Sequence, residues 1–480
     1  MTRLIVGPFN RVEGDLEVRL DVADGQVAEA RVVAPLYRGF EQILHGKDPR
    51  DALVIAPRIC GICSVSQSVA AARALADAQG IAMPPNGELA TNLILACENL
   101  ADHLTHFYLF FMPDFARALY AAQPWYPSVE PRFRALTGEA AREVLPARAQ
   151  LMHLMGMLAG KWPHSLALQP GGTTRAVQAQ EPIRIGIVLA AFRRFLERRL
   201  FADSLESVAA IASTDALADW LDRRPDGDLR AFLRLSAALG LERLGAGAGR
   251  YLSYGAYAIE GRRLFRAGVW CNGPEPLDLG TLREDLSHSW MSGSDLPLHP
   301  ADGLTLPEPD RPGAYTWCKA PRLAGRPMEV GALARQLIAG HPLIRDLAAR
   351  GALGVAARVL ARLLELALVL PAMEEWARRL APGEPFCIQG AIPREASGVG
   401  LTEAARGSLG HWIAIRNGRL LNYQVVAPTT WNFSPRDENG TPGPLEQALV
   451  SAPVQPGETA PIAVQHIVRS FDPCMVCTVH

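Results

Sequence analysis

The chain contains no run of eighteen apolar residues, the length that a membrane-crossing helix requires. It has no surplus of either charge: 48 Lys and Arg stand against 49 Asp and Glu, a net charge of -1 at pH 7. A basic field that would attract nucleic acid or anionic lipid is missing, so neither is expected as a partner. The opening stretch MTRLIVGPFNRVEGDLEVRL lacks the long apolar core of a secretory signal. The most apolar segment, VLARLLELALVLPAMEEW, is cut by arginine, glutamate and proline and reads as buried in protein, with no direct membrane insertion. Cysteine is scarce as well. Eight in 480 residues, mostly scattered, do not make a secreted disulfide framework, and the cytoplasm is the expected compartment.

What is present is an ordinary globular composition, 49% hydrophobic and 20% charged, on a chain longer than one common core needs. Residues 3–34 alternate apolar and polar around ADGQ, which predicts a β-hairpin. Helical periodicity covers 68–120, and further long helices are predicted at 137–160, 181–221, 227–243, 330–350 and 354–380. A strand-rich stretch, 248–323, interrupts them, and HWIAIRNGRLLNYQVVAP reads as a second hairpin around Asn417-Gly418. Gly/Pro loops such as QPGGTTR are too short to be domain linkers. The fold class is α+β and mainly helical, with residues 1–480 as one intertwined unit and a β edge near each end.

Four of the cysteines form two C-x-x-C pairs, Cys60 with Cys63 in RICGICSVSQS and Cys474 with Cys477 in FDPCMVCTVH. Cys97, Cys271, Cys318 and Cys387 have apolar or aromatic neighbours and read as small core residues. Four thiolates suit a soft transition metal. A structural zinc site and a redox pair remain open on the pattern alone, although zinc ribbons hold their pairs roughly 15–20 residues apart. Pairs at opposite ends of a large chain favour a site at the centre of the body. The first pair precedes a predicted helix and follows Arg58, and both features favour the thiolate.

The stretches RVEGDLEV, YRGFEQIL, DPRDALVIAPRICGIC, DHLTHFY, EAARGSLGHW, YQVVAPTTWNFSPRD and DPCMVCTVH together resemble the large subunit of nickel–iron hydrogenases, from end to end of the chain. The resemblance implies a nickel–iron centre with one carbon monoxide and two cyanides on iron, the site of dihydrogen cleavage to hydride and proton. Cys60 and Cys474 would be terminal nickel ligands, and Cys63 and Cys477 would bridge to iron. Glu13 would be the first proton relay, from the Cys477 sulfur. Arg406, Asp102 and Asp472 would form a charged canopy, with Arg406 and Thr429 as donors to the cyanides and Pro428 packed beside them. The family usually carries proline where this chain has Ala405. Glu41, His480 and the backbone carbonyl of Val425 resemble the ligands of a Mg2+ ion. The remaining cysteines form no iron–sulfur motif, so an iron–sulfur small subunit is expected as partner in a heterodimer, or in a dimer of heterodimers.

Three departures narrow the resemblance. Gln67 stands where the family usually has histidine, Ile62 where most relatives carry valine, and Phe110 where most carry leucine. These residues resemble the regulatory, hydrogen-sensing subclass. That subclass is cytoplasmic, slow, oxygen-tolerant, ends at the histidine, and signals H2 to a histidine protein kinase. Ile62 and Phe110 would narrow the gas channel, and Gln67 would act as a neutral amide donor near the Cys63 sulfur. The alternative is a metabolic uptake hydrogenase feeding electrons to a membrane cytochrome. A quinone oxidoreductase subunit that has lost nickel is disfavoured because all four cysteines are present.

Overall fold

The computed structural model describes residues 2–294, 296–478 and 480. Alternating apolar residues at the N-terminus build three antiparallel strands, β1 (Thr2–Val6), β2 (Glu17–Ala23) and β3 (Gln26–Val33), paired in that order. The β2–β3 turn uses positive φ at Asp24 and Gly25, as the DG pair foretells. Helix α1 (Ser64–Gln79) follows the first cysteine pair, and α2 (Pro85–Thr105) runs on into a π-helical turn, His106–Phe111. Between them Gly80 takes a left-handed conformation that ends α1, and Pro84 and Pro85 open α2.

The predicted helices at 137–160, 227–243 and 354–380 appear as Glu139–Ala159, Asp228–Leu239 and Val355–Arg379. Two others are broken. The 181–221 stretch divides because the Ser204 and Ser213 side chains cap new helices, accepting from the N–H groups of Ser207 and Ala216. The 330–350 stretch divides at Gly340, left-handed at φ 94, just before Pro342. Short antiparallel strands occupy 250–323 as pairs and one small three-stranded sheet, and a longer three-stranded sheet comprises β4 (Ala396–Ala404), β5 (Gly407–Arg416) and β6 (Arg419–Val426). The fold class is thus α+β with a helical core and a small sheet toward each end.

Three contacts position the site. First, β4 lies flat on α1, where Gly398 and Gly400 face the Ala74 and Ala70 carbonyl oxygens so closely that a Cβ would collide with them. Second, the N-terminal sheet is tied to the tail: Val27 N–H donates to Ala452, Val454 N–H to Gly25, and Val32 N–H to the Glu446 carboxyl. Third, Glu13 forms a parallel bridge with Cys474. Chain ends that are distant in sequence therefore meet. No helix among the described residues is long and apolar enough to cross a membrane.

Candidate metal centre

Cys60, Cys63, Cys474 and Cys477 are all buried, and their sulfurs lie within 4.8 Å of one another. Cys60 is 3.5 Å from Cys474, Cys63 is 3.2 Å from Cys477, and Cys474 is 3.1 Å from Cys477. No disulfide forms. All four sulfurs share one space, each within reach of the others, which is the arrangement of a single four-cysteine ligand set. In this cluster the neighbouring thiols, Cys474 first, hold Cys60 well below its ordinary pKa, with the Arg406 charge adding to the effect. Hydrogen bonds to the neighbouring thiols and then burial push Cys63 and Cys474 well up. Four thiolates can coexist there only around a cation, and their donor set fits a soft metal.

Cys60 ends a 3-10 turn, Ala56–Ile59, and Cys63 is the cap residue of α1. Arg58 is exposed, and the cation acting on Cys60 is Arg406. Arg406 sits in the β4–β5 turn and is 3% exposed. It donates from Nε to the Asp472 carbonyl at 3.0 Å and from Nη2 to Asp472 Oδ1 at 3.2 Å. Its Nη1 lies 3.1 Å from Asp102 Oδ2, an ion contact without hydrogen-bond geometry. Burial pushes Asp102 up to about 8 against the pull of Arg406. Burial would also raise Asp472, but Arg406, His106 and Arg362 outweigh it and hold that carboxyl low. Burial thus dominates at Asp102, and the neighbouring cations dominate at Asp472.

The turn bearing Arg406 is itself braced. Arg335 donates to Glu403 Oε2 and to the carbonyls of Ala404 and Ala405, and it pairs with Glu365 through both carboxylate oxygens. This places Ala405 beside Arg406, with its carbonyl engaged by Arg335. Pro428 opens a short helix, Pro428–Asn432, that packs on Met475–Cys477. Thr429 is buried with no hydrogen-bond partner for its hydroxyl. Asp472 Oδ2 and Gln67 Nε2 are likewise unpartnered. Buried polar atoms left open around four sulfurs fit a polar, ligand-bearing metal group.

Glu13 is half-buried, and burial followed by the Cys60 charge raises its pKa. Its N–H donates to Pro473 at 3.2 Å, and its carbonyl accepts from Met475 N–H at 2.7 Å. Its backbone is therefore paired with the segment that carries Cys474. Gly14 makes the approach possible at φ +77, since a Cβ there would lie 3.1 Å from Val476. Gln67 differs from expectation: its Oε1 accepts from His411 Nε2 at 2.8 Å, and Cys63 Sγ is not its partner. His411 Nδ1 in turn meets the Tyr423 hydroxyl at 2.7 Å, and burial lowers the imidazole to about 3, so it is neutral. Ile62 packs against the cysteine cluster. Phe110 is partly exposed near the end of the π-helical turn, where its carbonyl accepts from Arg11.

A second donor set lies below. His480 Nε2 is 2.6 Å from the Val425 carbonyl and 3.5 Å from Glu41 Oε1, and its Nδ1 is 2.8 Å from the Cys477 carbonyl. Lys319, which the sequence reading did not single out, places Nζ 3.1 Å from Glu41, 3.0 Å from Glu284 and 3.1 Å from Gln424. One carboxylate, one carbonyl and one imidazole converge as a hard dication would need, with Lys319 as a fixed neighbouring charge. Glu98, His411 and Arg335 also escaped the sequence reading. Their signal was a charged or polar residue inside an apolar helix or strand, as in LILACENL and ALARQLIAG.

A model of the nickel-dependent hydrogenases matches residues 38–124 and 142–480. The chain belongs to this nickel-dependent hydrogenase family. Among its hydrogenase relatives is the large subunit of the periplasmic [NiFeSe] hydrogenase of Desulfomicrobium baculatum, 30% identical over all of this chain and 95% of the relative. The uptake hydrogenase large subunit of Bradyrhizobium diazoefficiens is 29% identical over 100% and 95%. Hydrogenase-2 large chain of Escherichia coli is 27% identical over 100% and 97%. The solved Ni-Fe-Se hydrogenase of D. vulgaris Hildenborough superposes with a TM-score of 0.86 at 30% identity, covering both chains fully. The hydrogenase fold thus extends over the full length, including the β1–β3 sheet that the family model leaves out. Membership accounts for a soft metal at the four cysteines in place of structural zinc.

Proposed function

We propose that this chain is the catalytic large subunit of a hydrogenase that oxidises H2 reversibly to protons and electrons. One observation carries the reading: four buried cysteines, two from each end of the chain, converge under Arg406. Cys60, Cys63, Cys474 and Cys477 would hold a nickel–iron centre with carbon monoxide and cyanide ligands. When bound, that centre supplies heterolytic cleavage of dihydrogen. Glu13 would take a proton from the cysteine cluster, and its raised pKa suits a relay that must hold a proton and pass it on. Arg406 and the open Thr429 hydroxyl would offer hydrogen bonds to the cyanides, and Pro428 would shape the wall beside them. Asp102 and Asp472 fix the guanidinium. Glu41, Val425 and His480 would hold Mg2+. Residues 1–480 act as one unit, because the site needs both ends. Electrons leave through an iron–sulfur small subunit, since the other cysteines lie singly.

The finer reading is a hydrogen sensor that works in the cytoplasm with a histidine kinase, turns over slowly and tolerates oxygen. Gln67, Ile62 and Phe110 support it. A second reading, metabolic uptake, draws on the relatives, among which are an uptake hydrogenase and a quinone-reactive one.

Metal analysis of the purified large–small pair is expected to find nickel and iron in near-equal amounts, with carbon monoxide and cyanide stretches in the infrared. One zinc without those bands would overturn the assignment. The two finer readings separate on the partner: H2-dependent kinase autophosphorylation supports sensing, and H2-dependent reduction of a membrane cytochrome supports uptake.

A further inference from the structure

Glu98 is a buried acid on α2, 3% exposed, to which none of the roles above falls. Its Oε2 accepts from the Val65 N–H at 2.8 Å and from Trp162 Nε1 at 3.0 Å. Its Oε1 accepts from the Ser66 N–H at 2.9 Å and the Ser66 hydroxyl at 3.0 Å. Three of these four donors are N–H groups that can only donate, so the arrangement matches an anionic carboxylate. Burial opposes ionisation and pushes the carboxyl up to about 7, and the same hydrogen bonds pull it down. No basic side chain among the described residues pairs with it in a salt bridge.

The backbone donors matter because of where they lie. Val65 and Ser66 belong to the first turn of α1, and Cys63 is the cap residue of that helix, with no side-chain cap of its own. The opening N–H groups of a helix carry its positive end, equivalent to roughly half an elementary charge. The sequence suggests that this positive end favours a thiolate at Cys63. In the structure a carboxylate from a neighbouring helix occupies it.

We propose that Glu98 is a positioning residue for the metal centre, an anion that opposes the positive end of α1 and thereby sets the electron density of the Cys63 sulfur. This rests on the reading of Cys63 as a ligand of the nickel–iron centre. An unopposed helix end would withdraw density from that sulfur, and a sulfur that gives less to the metals leaves carbon monoxide and cyanide on iron with higher stretching frequencies.

Two substitutions separate charge from shape in the large–small pair. Glu98→Gln keeps the shape and removes the charge, and Glu98→Asp keeps the charge on a shorter arm. The readouts are nickel and iron content and the infrared bands. The expected result is a shift of the bands to higher frequency in Glu98→Gln, with Glu98→Asp close to the unsubstituted protein. Loss of metal from the glutamine variant alone, with Glu98→Asp loaded and its bands in place, also supports a requirement for the charge. Unmoved bands or a shift to lower frequency in Glu98→Gln, an equal shift in both variants, or equal loss of metal from both overturns the proposal. If the unsubstituted protein lacks nickel and these bands, it is the metal assignment that fails, and Glu98 is not the cause.

Discussion

Glu13 combines two properties that a proton relay needs: a raised pKa and a backbone pinned to the ligand segment. Glu13→Gln keeps the bridge to Cys474 and removes the transferable proton. The expected outcome is intact metal bands and hydrogen–deuterium exchange slowed by roughly 10²–10⁴-fold. Unchanged exchange would take Glu13 out of the relay. Ile62 and Phe110 are a different kind of residue, with no chemistry of their own. In closely packed protein one methylene can close a gap. Ile62→Val with Phe110→Leu should make H2 oxidation sensitive to air while the bands of unexposed protein stay in place. Full activity under air in the double variant would leave oxygen resistance to the metals or the partner.

At the scale of elements, the seat of Cys63 depends on how closely β4 approaches α1. A methyl at Gly400 meets the Ala70 carbonyl oxygen, which belongs to rigid helix and cannot turn aside. Gly400→Ala should destabilise the protein by roughly 1–3 kcal/mol as helix and strand part. Because α1 carries Cys63 at its cap, metal content should fall as well. A variant with normal thermal stability and full nickel would show that the sheet can slide without disturbing the site. Elements are also where the sequence was read unevenly. The helix at 354–380 and both hairpins were legible because apolar period and turn chemistry agree there. The breaks at Ser204, Ser213 and Gly340 were not, because a cap competes with a helical pattern that continues past it. In the site, the cysteines and Arg406 were legible as motifs. Lys319, Arg335, His411 and Glu98 were not, since each acts through a partner distant in sequence. The pairing of Glu13 with Cys474 is likewise a matter of strand register, which a motif does not carry.

Over the whole molecule, Glu446 ties the two ends together away from the metals. Its Oε1 accepts from the Val32 N–H of β3 and from the Tyr315 hydroxyl, and Oε2 has no hydrogen bond, with Arg436 Nε 3.8 Å away. Burial pushes its pKa from 4.5 up to about 7. Between those values the folded chain retains a proton that the unfolded chain has released. This contribution therefore declines as pH rises through the window, by at most ~1.4 kcal/mol per pH unit for one proton. Denaturation across that range should show a shallower pH slope in Glu446→Gln than in the unsubstituted protein. Equal slopes would mean that Glu446 is ionised throughout.

The cysteines that face one another are separated by 414 residues of chain. During synthesis the first pair is made long before the strand that packs on its helix, and longer still before its partner cysteines. The second pair follows, in chain order, every helix and sheet described above. A polypeptide that stalls or is cut anywhere in between has half a ligand set and cannot close around the metals. Closure around the metals therefore requires a chain that carries both ligand segments, each packed against the other.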